Sequence, residues 1–168
     1  EHVEKRMNVD IVKRLGFSKC RLSIGMLKDT EYNGLQDLQN SKIATSYPNL
    51  LNDWLDENNI KAEIHEISGS VEIAPSIGLA DAICDIVSTG STLISNGLKE
   101  VEKIFKSEAL LIADKNISGE KKAILERLMF RMQAVMEAKD FKYITLNAPN
   151  DAIDRIIEIL PGVKSPSV

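Results

Sequence analysis

The sequence predicts an α/β protein, and three features carry that prediction. Short period-two apolar runs alternate with segments of helical spacing; many of the runs end in turns rich in Gly, Ser and Thr; and one stretch around residue 130 carries a long stripe of helical period. Composition agrees. The 168 residues are 43% AVILMFWYC and 27% charged, enough apolar material for a real core. Lys and Arg total 21 against 25 Asp and Glu, and the net charge of -4 argues against a dedicated nucleic-acid binder. Two cysteines, Cys20 and Cys84, are too few for a disulfide framework or a four-ligand zinc site. No apolar run reaches the roughly 18 residues a membrane span needs, and no signal-peptide pattern is read at the start, so a cytoplasmic location is the expectation. The chain opens Glu1-His2-Val3 and stops at Val168 just after an element begins, which reads as a piece of a longer protein.

Each element follows from its local pattern. Residues 1–19 are polar, with Ile11, Val12 and Leu15 spaced as on a short helical face. Residues 21–26 alternate as a half-buried strand, and turn residues follow at 28–30 and 33–34. Residues 42–45 form a short strand candidate, and Pro48 then sits at the first turn of a helix whose Leu50, Leu51, Trp54 and Leu55 share a face. Residues 62–67 alternate as another strand. The turn Ser68-Gly69-Ser70 leads into a short helix with Val71, Ile73, Ala74 and Ile77 on its apolar face, limited by Pro75. Residues 82–87 are a compact strand, 88–92 a tight turn and 92–96 a short helix stopped by Gly97. Strands are predicted at 101–105 and 109–113. Ser118 is the expected N-cap of the longest helix, 119–139, whose Ile124, Leu125, Leu128, Met129, Met132, Val135 and Met136 make one stripe suited to core or subunit contact. A strand at 142–146 and a helix at 149–160 complete the series.

The chemistry concentrates where the 82–87 strand gives way to the next helix. Ser88, Thr89, Gly90, Ser91 and Thr92 present hydroxyls and backbone N–H groups to one spot, an arrangement that binds anions and phosphates above all. Gly90 permits positive φ or a close backbone approach. No Lys follows, so the turn is neither G-x-x-x-x-G-K-[ST] nor G-x-G-x-x-G, and an ordinary capped strand–helix turn is the alternative. Asp81 and Asp85, four apart, would share a strand face and could hold ribose hydroxyls or a magnesium ion through water; otherwise Asp81 caps the strand's entry. The second turn, Ser68-Gly69-Ser70 with Glu72, has the same logic, although a Glu in a first helical turn is favoured by the helix dipole alone. Thr45 and Ser46 are candidates to cap the helix at Pro48. His2 and His65 lack partners at ligand spacing, which makes a metal role improbable, and Cys84 has the character of a small buried hydrophobe.

Taken together, Lys42-Ile-Ala-Thr-Ser-Tyr-Pro-Asn49, Ser68-Gly-Ser-Val-Glu72, Gly78-Leu-Ala-Asp-Ala-Ile-Cys-Asp85, Ser88-Thr-Gly-Ser-Thr-Leu93 and Asn96-Gly-Leu98 resemble ATP phosphoribosyltransferase, the family of the first committed step of histidine biosynthesis. The likeness extends to Leu15-Gly-Phe-Ser-Lys-Cys-Arg-Leu22 and Ser107-Glu-Ala-Leu-Leu111 and covers nearly the whole chain. It implies a bilobal catalytic unit like that of periplasmic binding proteins, with the active site between the lobes. Residues 1–19 would end the first lobe, 20–96 form the second, 97–139 return to the first with its long helix, and 140–168 begin a ferredoxin-like regulatory domain where histidine binds in the long form. A first-lobe half and most of the regulatory domain would then lie outside this sequence.

The reaction so implied is substitution at the anomeric carbon of phosphoribosyl pyrophosphate by N1 of ATP's adenine, with pyrophosphate leaving under magnesium neutralisation. Positive charge develops on the ribose in such a transition state, and carboxylates stabilise it. Asp85, and less directly Asp81, would be the catalytic carboxylates serving the ribose hydroxyls or the ion-bound diphosphate. Ser88–Thr92 would cradle the 5′-phosphate, and Glu72 with Ser68, Gly69 and Ser70 would line the cleft. The resemblance also implies a homo-oligomer, a dimer assembling to a hexamer, with no nucleic-acid or membrane partner. The competing reading is a non-catalytic small-anion-binding module of the same fold, which would need the turn without the acids.

Overall fold

The computed structural model describes residues 2–138, 142 and 144–159. They belong to two compact units, Glu1–Ile117 and Ser118–Val168. In the first unit, strands β1 (Val9–Arg14) and β7 (Leu110–Asp114) pair antiparallel as a two-stranded sheet. A five-stranded sheet is built from β2 (Cys20–Leu27), β3 (Lys42–Thr45), β4 (Glu63–Glu66), β5 (Ala82–Val87) and β6 (Leu98–Ser107), in the order β4-β3-β5-β2-β6. Helix α1 (Pro48–Glu57) connects β3 to β4, and the short helix α2 (Ser91–Ser95) connects β5 to β6.

The topology follows from the connections. β3 runs parallel to both β4 and β5, because a helix or a long turn segment carries the chain back across the sheet each time. β2 runs antiparallel to β5 and β6. Alternate residues of these strands feed two cores, one on each face. Leu22, Ile24, Met26, Ile43, Ala82 and Cys84 face α1, whose Leu51 and Leu55 are buried against them with Leu38. Ala44, Ile83 and Val87 face the other way, onto Val71, Ala74, Ala80, Leu93 and Leu98. Gly25 makes the second core possible. A Cβ there would meet Ile83 Cγ1 at 3.2 Å and Leu93 Cδ2 at 3.3 Å, so its bare backbone lets α2 close onto the sheet.

The expectation for residues 1–19 fails. The residues Ile11, Val12 and Leu15, read as a helical face, lie in and just beyond strand β1. Its partner is roughly a hundred residues away, with Val9 opposite Asp114 and Arg14 opposite Leu110. A two-stranded ladder of such distant segments overrides the weak local period. The short helix expected after Ser70 is a 3-10 turn, Val71–Ile73, followed by further turns. Of its expected apolar face, Val71 and Ala74 are buried while Ile73 and Ile77 are exposed.

The second unit holds α3 (Gly119–Ala138) and α4 (Ile153–Ile159), the latter preceded by a 3-10 turn at Asn150–Ala152. The expected strand at 142–146 includes residue 143, which lies outside the described residues, and 142 and 144–146 form no strand. Residue 160, the end of the expected last helix, and residue 139, the end of the expected long helix, also lie outside them. The stripe of α3 is not a core in this chain: none of the helix's residues is buried, and Ile124, Leu128 and Val135 are exposed. No helix among the described residues is long and apolar enough to cross a membrane.

Candidate functional site

The strand β5 ends at Val87, and the five residues after it form the turn singled out by the sequence. Ser88, Thr89, Ser91 and Thr92 are exposed. Gly90 adopts φ 86°, ψ 0°, the left-handed conformation that turns the chain into α2 and that an L side chain resists. Thr89 Oγ1 lies 3.0 Å from Ser91 Oγ and accepts a long contact of 3.4 Å from the Ser91 N–H, so the two hydroxyls brace the inside of the turn. Leu93, one residue past the turn, is buried and anchors it to the sheet.

Asp85 stands two residues before the end of β5, on the same face as Ile83 and Val87, where its neighbours are otherwise apolar. It is partly buried, and its Oδ1 accepts its neighbour Ile86's N–H at 2.7 Å. Desolvation raises its pKa; the Ile86 N–H opposes that shift and repulsion from Glu72 adds to it. The acid coupled to Asp85 is therefore Glu72, carried in by the 3-10 turn at Val71–Ile73, rather than Asp81. Asp81 precedes the strand. Its Oδ2 accepts the Lys42 N–H at 2.7 Å while its own N–H donates to the Lys42 carbonyl at 2.9 Å, so it joins the entries of β3 and β5. Four residues of extended chain separate Asp81 from Asp85 by about 13 Å. Ser68, Gly69 and Ser70 are exposed, and both Gly69 (φ 82°) and Ser70 (φ 51°) are left-handed, which produces the sharp entry that delivers Glu72.

Neither Thr45 nor Ser46 caps α1. Thr45 is fully buried; its hydroxyl donates to the Cys84 carbonyl at 2.7 Å and accepts the Tyr47 N–H at 2.9 Å, tying β3 to β5 beside the site. Ser46 donates to the Ile67 carbonyl. The cap comes from Glu4, a residue the local pattern had no means of nominating.

Arg21 was missed as well. From β2, opposite Val87, it sends Nη1 to the Ser88 carbonyl at 3.0 Å and forks Nε and Nη2 onto the two carboxylate oxygens of Glu100. The hydroxyl of Ser23, buried, donates to the same carboxylate at 2.8 Å. Arg21 also lines a cavity of about 700 Å³ with Lys19 and Lys106, which brings positive charge to the end of the sheet where the turn lies. Among the described residues no group of three or more His, Cys, Asp or Glu is arranged to hold a metal ion.

Comparison with known proteins gives the family. Residues 1–134 match the family model of ATP phosphoribosyltransferase, and 138–168 match the model of the HisG C-terminal domain. An ATP phosphoribosyltransferase of Cytophaga hutchinsonii is 65% identical over 166 residues, covering 99% of this chain and 58% of the relative. One from Bacteroides thetaiotaomicron is 60% identical over 168 residues, covering 100% and 59%. The chain thus spans under two thirds of these relatives' length. Among solved structures, the ATP phosphoribosyl transferase (HisG:HisZ) complex from Thermotoga maritima is similar with a TM-score of 0.71 at 25% identity, over 81% of this chain and 66% of that one. A substrate binding protein of an amino acid ABC transporter, at 12% identity and TM-score 0.60 over 81% and 61%, shares the fold alone. With both family models matching in order and relatives so similar along its whole length, the chain belongs to the ATP phosphoribosyltransferase family.

Proposed function

We propose that this chain forms part of an enzyme that joins N1 of ATP to C1 of the ribose of phosphoribosyl pyrophosphate and releases pyrophosphate, the first step of histidine biosynthesis. The observation that carries the reading is the turn Ser88–Thr92, four exposed hydroxyl side chains around a left-handed Gly90, with the partly buried carboxylate of Asp85 three residues before it. Family membership supports the same chemistry. In this reading the turn holds the 5′-phosphate, with Gly90 letting the backbone close around it and the hydroxyls of Ser88, Thr89, Ser91 and Thr92 supplying further donors. Asp85 faces the ribose. As the bond from C1 to the diphosphate breaks and the adenine N1 bond forms, the ribose gains positive charge, and a carboxylate already held near it lowers the barrier without reorganising. Glu72 adds negative potential behind Asp85. Asp81 is a weaker candidate, because Lys42 already engages its carboxylate; Ser68, Gly69 and Ser70 act by shaping the entry of Glu72.

Magnesium fits this donor set in a limited way. Mg²⁺ typically keeps several waters and takes one or two carboxylates together with substrate phosphates; Asp85 and Glu72 would be those carboxylates, and the ion would neutralise the departing diphosphate. The division of the chain into a second lobe from residue 20, flanking segments of a first lobe and a regulatory segment at 140–168 belongs to the same reading, with the return to the first lobe placed after β6 rather than at residue 97, because β6 pairs with β2 in the second-lobe sheet. So do a homo-oligomer, feedback by histidine and a cytoplasmic location; the C-terminal family match supports the regulatory segment. The rival, a non-catalytic anion-binding module, rests on a fold shared with binding proteins at 12% identity and is not favoured.

The test is calorimetric titration of the full-length protein with phosphoribosyl pyrophosphate and magnesium, with inorganic phosphate as control, followed by turnover with ATP. Selective binding and pyrophosphate release are expected. Binding of phosphate and phosphoribosyl pyrophosphate with equal affinity, and no turnover, would return the anion-binding module.

A further inference from the structure

We infer that Arg21 is the positioning residue of the phosphate turn, and that Glu100 and Ser23 exist to hold Arg21 in that role. The inference rests on the reading of Ser88–Thr92 as a phosphate cradle and adds to it the part that sets the cradle's geometry.

The argument starts from the end of a strand. Once β5 stops at Val87, the Ser88 carbonyl has left the β-ladder with β2, whose register with β5 begins at Arg21 opposite Val87. A carbonyl there is free to swing, and the peptide that swings with it carries the Thr89 N–H, which lies inside the turn. Arg21 Nη1 fixes that carbonyl at 3.0 Å. The direction matters: pinning the carbonyl back toward β2 turns the following N–H the opposite way, because C=O and N–H of one planar trans peptide are antiparallel.

Arg21 is itself held by Glu100. Its Nε and Nη2 meet both oxygens of Glu100 in a fork, the most geometrically restrictive of ion pairs. Glu100 reaches across from the neighbouring strand β6 and is fixed in turn by the Ser23 hydroxyl at 2.8 Å, from a side chain 1% exposed. Three strands of one sheet thereby converge on one carbonyl. A lysine offers no planar fork and cannot make two parallel bonds to Glu100 while reaching Ser88. The guanidinium also leaves one positive group directly behind the turn, partly balanced by Glu100, so that loss of Arg21 removes a geometric restraint and a favourable field together.

The test uses the full-length protein and measures the affinity for phosphoribosyl pyrophosphate and for ATP by calorimetry, with KM and kcat, in the wild type, Arg21→Lys, Arg21→Gln and Glu100→Gln. Wild-type titration comes first: if it fails to bind phosphoribosyl pyrophosphate, the functional reading has failed and not the positioning role alone. Given wild-type binding, the expected result is a tenfold or greater loss of affinity for phosphoribosyl pyrophosphate in both Arg21 variants. ATP affinity should stay within about twofold. Glu100→Gln should lose less, because its amide retains one acceptor for the fork. Calorimetric affinity reports the folded fraction, so partial misfolding lowers stoichiometry and leaves the comparison intact. Equal weakening of both substrates, or unchanged phosphoribosyl pyrophosphate affinity with a lowered Tm, would assign Arg21 to structure and overturn the inference. If a variant cannot be obtained folded, Ser23→Ala makes the same test at the far end of the network, where unchanged affinity again overturns it.

Discussion

The carboxylate of Glu4 closes the N-terminus of helix α1: one oxygen accepts the N–H of Leu50 at 2.8 Å and the other that of Asn49 at 3.0 Å. Asn49 returns the contact by donating its side-chain amide to the Glu4 carbonyl at 3.0 Å. The residue at the helix's own N-cap position, Tyr47, supplies no side-chain cap bond, so two of the donors every helix leaves open are satisfied from a segment more than forty residues earlier. A negative charge there also complements the helix dipole.

Glu4→Ala is therefore expected to cost about 1 kcal/mol, the usual worth of an N-cap, and to lower Tm by a few degrees. Amide hydrogen exchange localises the effect: Asn49 and Leu50 should lose protection in the variant while the strand β5 keeps it. Uniform loss across the unit would show that the contact is no cap.

This cap explains which parts of the molecule the sequence disclosed. β3, α1 and β5 were legible because their signals are local: Pro48 at a first turn, Leu51 and Leu55 one helical turn apart, six residues of apolar strand ending in a Ser/Thr/Gly turn. The turn and Asp85 were legible for the same reason. Glu4, Arg21 and β1 were not, because each acts through a partner remote in sequence: Leu50, Ser88 and Asp114. In β1 the misreading was active, since Ile11, Val12 and Leu15 happen to fit a helical period while the strand's other partner face is set by Leu110 to Asp114. Glu72 was found for its place in a turn, but its coupling to Asp85 depends on a left-handed pair, Gly69 and Ser70, whose combined bend no spacing rule encodes.

The two cysteines should differ sharply in reactivity. Cys84 is fully buried on β5, and burial pushes its thiol up to about 12, against the opposing hydrogen bond with Thr45. The thiolate is the reactive form, so Cys84 is inert in the native state. Cys20 is partly exposed. Brief treatment with iodoacetamide at pH 8, read by peptide mass spectrometry, should label Cys20 and leave Cys84 unmodified until denaturant is added. Early labelling of Cys84 would contradict the packing between β5 and α1.

The Arg21–Glu100 pair makes a prediction about acid. The hydrogen bond from Arg21, outweighing desolvation and helped by Ser23, holds the Glu100 carboxyl below its usual range. A carboxylate whose folded pKa is depressed contributes stability that is present above its unfolded pKa, about 4.3, and disappears as pH falls through the lower folded value. Tm measured from pH 6 down to pH 3 should consequently fall more steeply in the wild type than in Glu100→Gln, with the curves parallel above pH 5. Parallel curves throughout would mean the pair has no preference for the charged form.

At Gly90 the question is conformation, not space. A Cβ there would meet only Val87 Cγ1, at 3.9 Å, yet φ is 86°. A β-branched residue is the least tolerant of that region. Gly90→Val should weaken phosphoribosyl pyrophosphate binding in the full-length protein at least tenfold while Tm falls only a few degrees, because the strain is confined to an exposed turn. Thr92→Ala, which leaves the backbone alone and deletes a single hydroxyl, should weaken binding less. Unchanged affinity in both variants would remove the turn from the binding site.

Asp85 separates function from stability. Its pKa is raised by burial, against the Ile86 N–H and with repulsion from Glu72, so only in the window between the unfolded and the raised folded value does the folded protein hold a proton that the unfolded chain has released. For a carboxyl with a raised folded pKa the sign is the reverse of the Glu100 case: stability declines as pH climbs from about 3.9 through the raised value, above which the full cost of a charged, half-buried group is present. Asp85→Asn has nearly the same shape and retains an oxygen to accept the Ile86 N–H, but carries no charge to desolvate. The variant is expected to match or exceed the wild type in Tm at pH 7.5 and to lose that advantage near pH 4. Its turnover should fall a hundredfold or more with phosphoribosyl pyrophosphate affinity changed far less, because the charge is needed only as the ribose becomes cationic. A stabilised variant with full turnover would leave the raised pKa as a packing consequence and exclude Asp85 from the chemistry. A destabilised one would mean that the fold favours the charged carboxylate, against the raised pKa.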